Sequence, residues 1–388
     1  MSAVYLDYAA TTPLDPRVAV RMGECLAPGG PFGNPSSASH EYGARAAALV
    51  EAARSQVAAA AGAAADEVVW TSGATEANNL AILGVARYYA DYGRHVVTAR
   101  TEHRAVLDPC RELERRGWRV TYLVPARSGV VDPAEVAAAL QPDTVLVSIM
   151  QVNNEIGVIQ DIRAIAAACE LHGQARLHVD AAQSLGKCAI DFAACGADLM
   201  SLSAHKAYGP KGIGALLVSR RRGVRLEALQ YGGGQERALR PGTVPTHQVV
   251  GMGAAAALAS EAVACEGPRI AHLRERLWAG LSAVGGVLRN GAPGLCVPHL
   301  LNVSFEHVEG ESLLAAVQSR VAVATGSACA SASQEASYVL RALGRDERLA
   351  ESSLRFSLGR FTTESDIDTA IEVVTGAVQR LRRIAGAA

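Results

Sequence analysis

The sequence predicts an α/β protein with a large domain on a mostly parallel sheet and a smaller α+β domain. Three observations carry this. Between residues 44 and 219, short β-branched apolar runs alternate with segments of helical period, the pattern of βαβ units. From about residue 255 the rhythm changes to longer helices around a strand-like run. The 388 residues, 49% of them hydrophobic, supply core for roughly two to three domains.

The elements follow in order. Residues 44–61 have helical period and stop at Gly62. Residues 67–71 read as a strand, 75–92 as a helix and 95–99 as a strand. Residues 105–117 are helical and 118–124 extended. The run 144–150 is β-branched and apolar, and 161–173 is an amphipathic helix. Residues 176–180, 199–203 and 214–219 complete the strands of the sheet. Beyond it, 268–284 reads as a long helix, 300–305 as a strand, 312–319 as a helix, and 365–385 as the last helix. The expected large domain covers 16–255. The small domain covers 1–15 with 256–388, including a loop at about 322–336.

Composition removes several function classes. Net charge is −1, and the only basic run is Arg220-Arg221-Arg222, so the footprint of a nucleic-acid binder is missing. No uninterrupted apolar stretch approaches the ~20 residues that cross a bilayer. The start runs into Tyr5-Leu6-Asp7 with neither a basic region nor a hydrophobic signal core, so a cytoplasmic protein is expected. Eight cysteines occur with no Cys-x-x-Cys pair. Seven of them are expected to be small buried hydrophobes. Neither a disulfide framework nor a metal site is expected.

In an open parallel sheet, ligands bind beyond the carboxyl ends of the strands. The residues after the proposed strands are therefore the candidates. They are Thr71-Ser72-Gly73-Ala74-Thr75-Glu76, Thr101-Glu102-His103, Asn153-Asn154-Glu155, His178-Val179-Asp180-Ala181-Ala182-Gln183, and Ser203-Ala204-His205-Lys206. Gly73-Ala74-Thr75 at a helix start offers free N–H groups and a positive dipole end, which suits a phosphate as well as an ordinary cap. Asp180 at a buried strand end needs a cationic partner such as a protonated pyridine nitrogen. Lys206, among small residues, suits an imine once partly desolvated. Any one of these is commonplace alone. Together they describe a pyridoxal phosphate site.

Cys329 lies in Ala324-Thr325-Gly326-Ser327-Ala328-Cys329-Ala330-Ser331-Ala332-Ser333, where nothing is larger than Thr or Cys. Such a stretch buries little apolar surface and is expected to move. A cysteine there suits a travelling nucleophile, although a close-packed turn of small residues reads the same way.

These residues resemble the group I cysteine desulfurases of the IscS/NifS type, within the class V aminotransferase fold. The resemblance runs from Leu6-Asp7-Tyr8-Ala9-Ala10-Thr11-Thr12 to Arg355-Phe356-Ser357-Leu358-Gly359-Arg360-Phe361-Thr362-Thr363. It includes Phe32-Gly33-Asn34-Pro35-Ser36-Ser37 and Val152-Asn153-Asn154-Glu155-Ile156-Gly157, and is most specific around Cys329. It implies the fold type I architecture of pyridoxal-phosphate-dependent transferases and an enzyme that converts L-cysteine to L-alanine through a persulfide on Cys329. Lys206 would carry the cofactor, Asp180 would pair with its ring nitrogen, Gln183 would bond its ring hydroxyl, and His103 would stack on the ring and shuttle protons. Ala74, Thr75, Ser203 and His205 would hold the phosphate, with Thr243 reaching in from the second subunit of a homodimer. Asn154 would sit at both cofactor and substrate, and Asn34 and Arg355 would bind substrate, Arg355 by its carboxylate. The persulfide would pass to an acceptor such as an iron–sulfur scaffold, or to a tRNA thiolation relay. Longer relatives dock the scaffold through an extra C-terminal segment that this sequence does not carry after its last helix. Another class V chemistry would share the cradle without needing Cys329, and a binding protein on a dead fold would need neither Lys206 nor Asp180.

Overall fold

The computed structural model describes residues 3–171, 173, 175–221, 223–325 and 336–386. A two-residue strand, β1 (Val4–Tyr5), precedes helix α1 (Pro16–Leu26). Pro16 stands where a helix needs no N–H, and Asp15 caps it by accepting from the Arg17 N–H. Helix α2 (Glu41–Ala61) ends on Gly62, whose φ of 64° closes the last turn. The alternation expected from the sequence follows: β2 (Val68–Thr71), α3 (Ala74–Tyr88), β3 (His95–Ala99), α4 (Arg104–Arg115), β4 (Arg119–Leu123), α5 (Pro133–Ala139), β5 (Thr144–Met150), α6 (Ile162–Leu171), β6 (Arg176–Asp180), α7 (Phe192–Cys195), β7 (Leu199–Ser203) and β8 (Gly214–Val218).

These strands form one seven-stranded sheet in the order β2-β8-β7-β6-β5-β3-β4. Only β8 runs against its neighbours. Helices cover both faces, so the central strands are apolar without alternation. On one face Val50 and Val57 of α2 and Ile165 of α6 pack against Val147, Ile149 and Val179. On the other, Leu80 and Val85 of α3 and Val106 and Leu113 of α4 pack against Val96 and Leu146.

The rest of the chain is α8 (Thr246–Ser282), β9 (Val287–Asn290), β10 (Leu300–Phe305), α9 (Gly310–Val317), β11 (Val321–Ala322), α10 (Tyr338–Ala342), α11 (Glu347–Glu351), β12 (Ser353–Ser357) and α12 (Glu364–Ile384). An antiparallel sheet β12-β10-β9 packs on α8 and α12 around Leu277, Val303, Phe356 and Val374. Strand β1 returns to pair in parallel with β11.

Two expectations need correction. The helix expected at 268–284 begins 22 residues earlier, at Thr246, and carries Pro268 in its interior. Gly267-Pro268 reads locally as a start. Packing overrides it, because Val249 to Ala259 are buried in the sheet's core and Ile270 to Leu281 in the second core. By length and composition α8 is also apolar enough to cross a membrane, and half of its apolar stretch is buried inside the protein. Of the seven cysteines expected to be buried, Cys25, Cys110 and Cys169 are buried, Cys188, Cys195 and Cys296 are half-buried, and Cys265 is exposed on α8.

Candidate active site

The parallel strands β2, β3, β5, β6 and β7 point their carboxyl ends to one edge, where a cavity of about 530 Å³ opens. Its walls include Ala74, Thr75, His103, Asn154, Asp180, Gln183, Ser203, His205 and Lys206, nine of the residues singled out from the sequence. Asn34 and Thr243 are exposed and do not line it, and Asn34 Oδ1 accepts from the Ser36 N–H at 2.9 Å. Arg355 stands one residue behind the wall, as described below. Cys329 lies outside the described residues.

The start of α3 makes the cradle. Gly73 occupies the cap position with φ 152°, which side-chain-bearing residues rarely adopt, and no side chain caps the helix. Gly214 of β8 lets the turn approach: a Cβ there would sit 2.5 Å from the Leu202 carbonyl oxygen and 2.6 Å from Gly73 Cα. Glu76 accepts from the Ser72 N–H at 2.6 Å and pairs with Arg240 at 2.9 Å, which holds the turn in place.

Asp180 is buried at the end of β6. It accepts from Asn78 Nδ2 at 2.7 Å and from the Ala182 N–H at 2.9 Å, so its carboxylate is fixed in orientation. His103 caps α4: its Nδ1 accepts from the Ala105 N–H at 3.0 Å. Burial pushes this imidazole below its ordinary value, so at neutral pH the ring is neutral and carries its proton on Nε2. His205 meets Thr11 Oγ1 through Nδ1 at 3.1 Å, and burial beside Lys206 pushes it down to about 4. Lys206 is half-buried in the cavity wall.

Behind this wall sits a second layer. Asn154 is buried with its Oδ1 unpartnered among the described residues, and its carbonyl accepts from Arg355 Nη1 at 2.9 Å. Arg355 Nη2 pairs with Asp7 at 2.8 Å, while Nε has no partner among the described residues. The Arg355 backbone pairs with Ala324. The neighbouring Glu155 is buried, accepts from the Ser337 hydroxyl at 2.5 Å, and is pushed up to about 7 by burial. Ala324 and Ser337 stand on either side of the stretch that holds Cys329, and both fasten to this layer.

Reading the sequence missed Asn78, Thr11 and the Glu76–Arg240 pair. Asn78 follows Ala74 by four and Thr75 by three, so it shares their helix face, and that spacing is a usable signal. Nothing local announces Thr11 or Arg240.

The residues present fit pyridoxal phosphate. Ser203 Oγ is buried, among the described residues without a partner, beside the uncapped start of α3, and a phosphate oxygen would satisfy it. A buried carboxylate, an amine and a neutral imidazole line the same cavity. Among the described residues no group of side chains suited to holding a metal ion is found.

Comparison with known proteins gives a consistent picture. The model of the class-V aminotransferase family matches residues 4–370. A cysteine desulfurase IscS of Pectobacterium atrosepticum is 56% identical over 379 residues, 98% of this chain and 93% of that protein. The IscS of Aeromonas hydrophila is 56% identical over 381 residues, 98% of this chain and 94% of that one. Among solved structures, a NifS-like protein superposes with a TM-score of 0.89 at 33% identity, covering 99% of both chains. A structure of SspA in complex with cysteine gives 0.81 at 36% identity, covering 93% of this chain and all of the other.

Proposed function

Because the chain belongs to the class-V aminotransferase family, and within it to the cysteine desulfurases of the IscS/NifS type, we propose that it moves sulfur from L-cysteine onto Cys329 with pyridoxal phosphate as cofactor. The observation that carries the reading is the meeting of Lys206, Asp180, His103 and an uncapped helix start in one cavity, with a buried, unpartnered Ser203 hydroxyl beside them.

Lys206 would hold the cofactor through Nζ. Asp180, its carboxylate oriented by Asn78 and Ala182, would face the ring nitrogen, and Ala74, Thr75, Ser203 and His205 would take the phosphate. Bound in this way, pyridoxal phosphate supplies a sink for the electron pair left when a bond to the substrate's Cα breaks. Lys206 Nζ, released once the amine of L-cysteine takes its place on the cofactor, would take the Cα proton of the bound substrate. His103 holds a proton at Nε2, within the cavity, for transfer to or from the substrate. Arg355, with Nη2 on Asp7 and Nε without a partner among the described residues, would anchor the substrate carboxylate beside Asn154; Asn34, exposed and away from this cavity, would reach substrate only by a different arrangement of its loop. The thiolate of Cys329 attacks the substrate sulfur. An S–S bond forms, the C–S bond breaks, and the carbon keeps the bonding pair and is protonated to give L-alanine. One sulfur moves and no outside oxidant enters.

The persulfide then passes to an acceptor protein, such as a scaffold for iron–sulfur clusters, in the cytoplasm. The exposed Thr243, away from the cavity of its own chain, fits a residue that serves the other subunit of a homodimer. The test is alanine release from L-cysteine under reducing, anaerobic conditions, for wild type and Cys329→Ala side by side. Release by wild type alone is the expected result. Equal release by both would remove Cys329 as the nucleophile and leave a lyase.

A further inference from the structure

Gln183 is buried in the cavity wall, and both ends of its amide are fixed by partners of one kind only. Its Nε2 donates to the Ala9 carbonyl at 2.8 Å, and a carbonyl can only accept. Its Oε1 accepts from Lys187 Nζ at 2.5 Å, and an ammonium can only donate. Turning the amide over would set two acceptors together at Ala9 and, with Lys187 charged, two donors together at Lys187. One N–H of Nε2 is left over for the cavity.

Lys187 follows Gln183 by four residues in the turn after β6. Among the described residues no carboxylate pairs with it, and the charges that bear on it most are Lys206 and Arg355, both positive. Burial, with those two cations adding, pushes its amine down to about 7. Charged or neutral, it has an N–H for Oε1. A small cavity beside both Gln183 and Lys187 is walled by Tyr8, His299 and Ser357, and burial holds His299 neutral as well. A lysine placed here without a counter-charge among the described residues costs stability, and among those residues the glutamine amide is its one hydrogen-bonding partner.

We propose that Lys187 is a positioning residue, which locks the Gln183 amide so that the ring oxygen of pyridoxal phosphate meets an N–H donor and never the carbonyl oxygen. The inference rests on the cofactor reading above. The ring oxygen shares a proton with the nitrogen through which Lys206 holds the cofactor. A donor aimed at that oxygen stabilises it best once the proton has gone, and so lowers the pH at which the proton leaves.

The experiment is a pH titration of the visible cofactor band in the holoenzyme. Lys187→Met removes the donor and keeps the aliphatic stem, Lys187→Leu serves if that variant does not fold, and Lys187→Arg restores the donor. The expected result is a midpoint about one pH unit higher in Lys187→Met, the size of one hydrogen bond to a charged oxygen, with the wild-type midpoint in Lys187→Arg. A charge acting through space would also raise the midpoint, so Lys187→Met is repeated in a Gln183→Leu background. No further shift there supports action through the amide. An undiminished shift there, or no shift in the single variant, overturns the proposal. A wild-type protein without any visible band after loading with pyridoxal phosphate refutes the cofactor reading itself.

Discussion

His103 does two jobs with one ring. Nδ1 closes the N-terminus of α4 and Nε2 faces the cavity chemistry, and the first fixes the tautomer needed for the second. Protonating Nδ1 would set a positive charge against the positive end of a helix, which adds to the effect of burial on this ring. The two jobs separate by substitution. His103→Asn keeps a side chain that caps well, so it should unfold within ~0.5 kcal/mol of wild type while kcat falls ~10²-fold or more. His103→Ala should lose the same activity and in addition ~1 kcal/mol of stability. Denaturant unfolding run beside turnover reads both. Full activity in His103→Asn would show that this imidazole moves no proton.

Among the elements, strand β6 is the one on which both sheet and site depend. Its Asp180 faces the cavity, and two residues earlier His178 bridges the sheet, with Nδ1 on Ser148 of β5 at 2.8 Å and Nε2 on Ser201 of β7 at 2.9 Å. Complete burial pushes His178 down to about 4. Between pH 6.5 and 4 the unfolded chain therefore binds a proton that the folded chain refuses, so stability falls as pH drops through that window, by about 3 kcal/mol in all. Urea midpoints at pH 7.5 and 5 should fall less for His178→Gln than for wild type, and parallel losses would assign the acid sensitivity elsewhere. The sequence marks this strand well: the segments 144–150, 176–180 and 199–203 end where β5, β6 and β7 end, because each carries several apolar residues and is followed by polar cavity residues. It marks α8 poorly, since a Gly-Pro signal at 267–268 loses to burial against two cores, and a two-residue strand such as β1 has no period to read. The site divides in the same way. Side chains at strand ends are legible because the sheet gathers them, whereas Asn78 on Asp180 and Arg355 on Asp7 join positions 102 and 348 residues apart.

At the scale of the whole molecule, the question is what keeps the second core in register with the sheet that holds the cavity. Helix α8 runs through both cores, and an ion cluster beside it ties the loose ends. Arg360, just after β12, bonds Asp15 at the start of α1 and Glu266 of α8 at 2.6 Å, and lies 4.3 Å over the ring of Tyr208, which follows β7. Asp15 is almost wholly buried, and Arg17, with Arg360 adding, holds its carboxyl down to about 2. Its contribution is therefore complete above about pH 4 and lost as pH falls towards 2. Asp15→Asn keeps the cap on α1 but leaves the Arg360 guanidinium facing an amide in a nearly buried place, which should cost roughly 2–4 kcal/mol in guanidinium unfolding at pH 7. Trp70 sits in the core of the sheet and Trp278 packs against the second core, so fluorescence follows both. Removing both partners, Asp15→Asn with Arg360→Met, should recover part of the loss, because no guanidinium is then left facing an amide in a nearly buried place; Glu266, which loses Arg360, limits the recovery. A single variant within ~0.5 kcal/mol of wild type, or a double variant that loses the sum of the two singles, would mean that α8 alone holds the cores together.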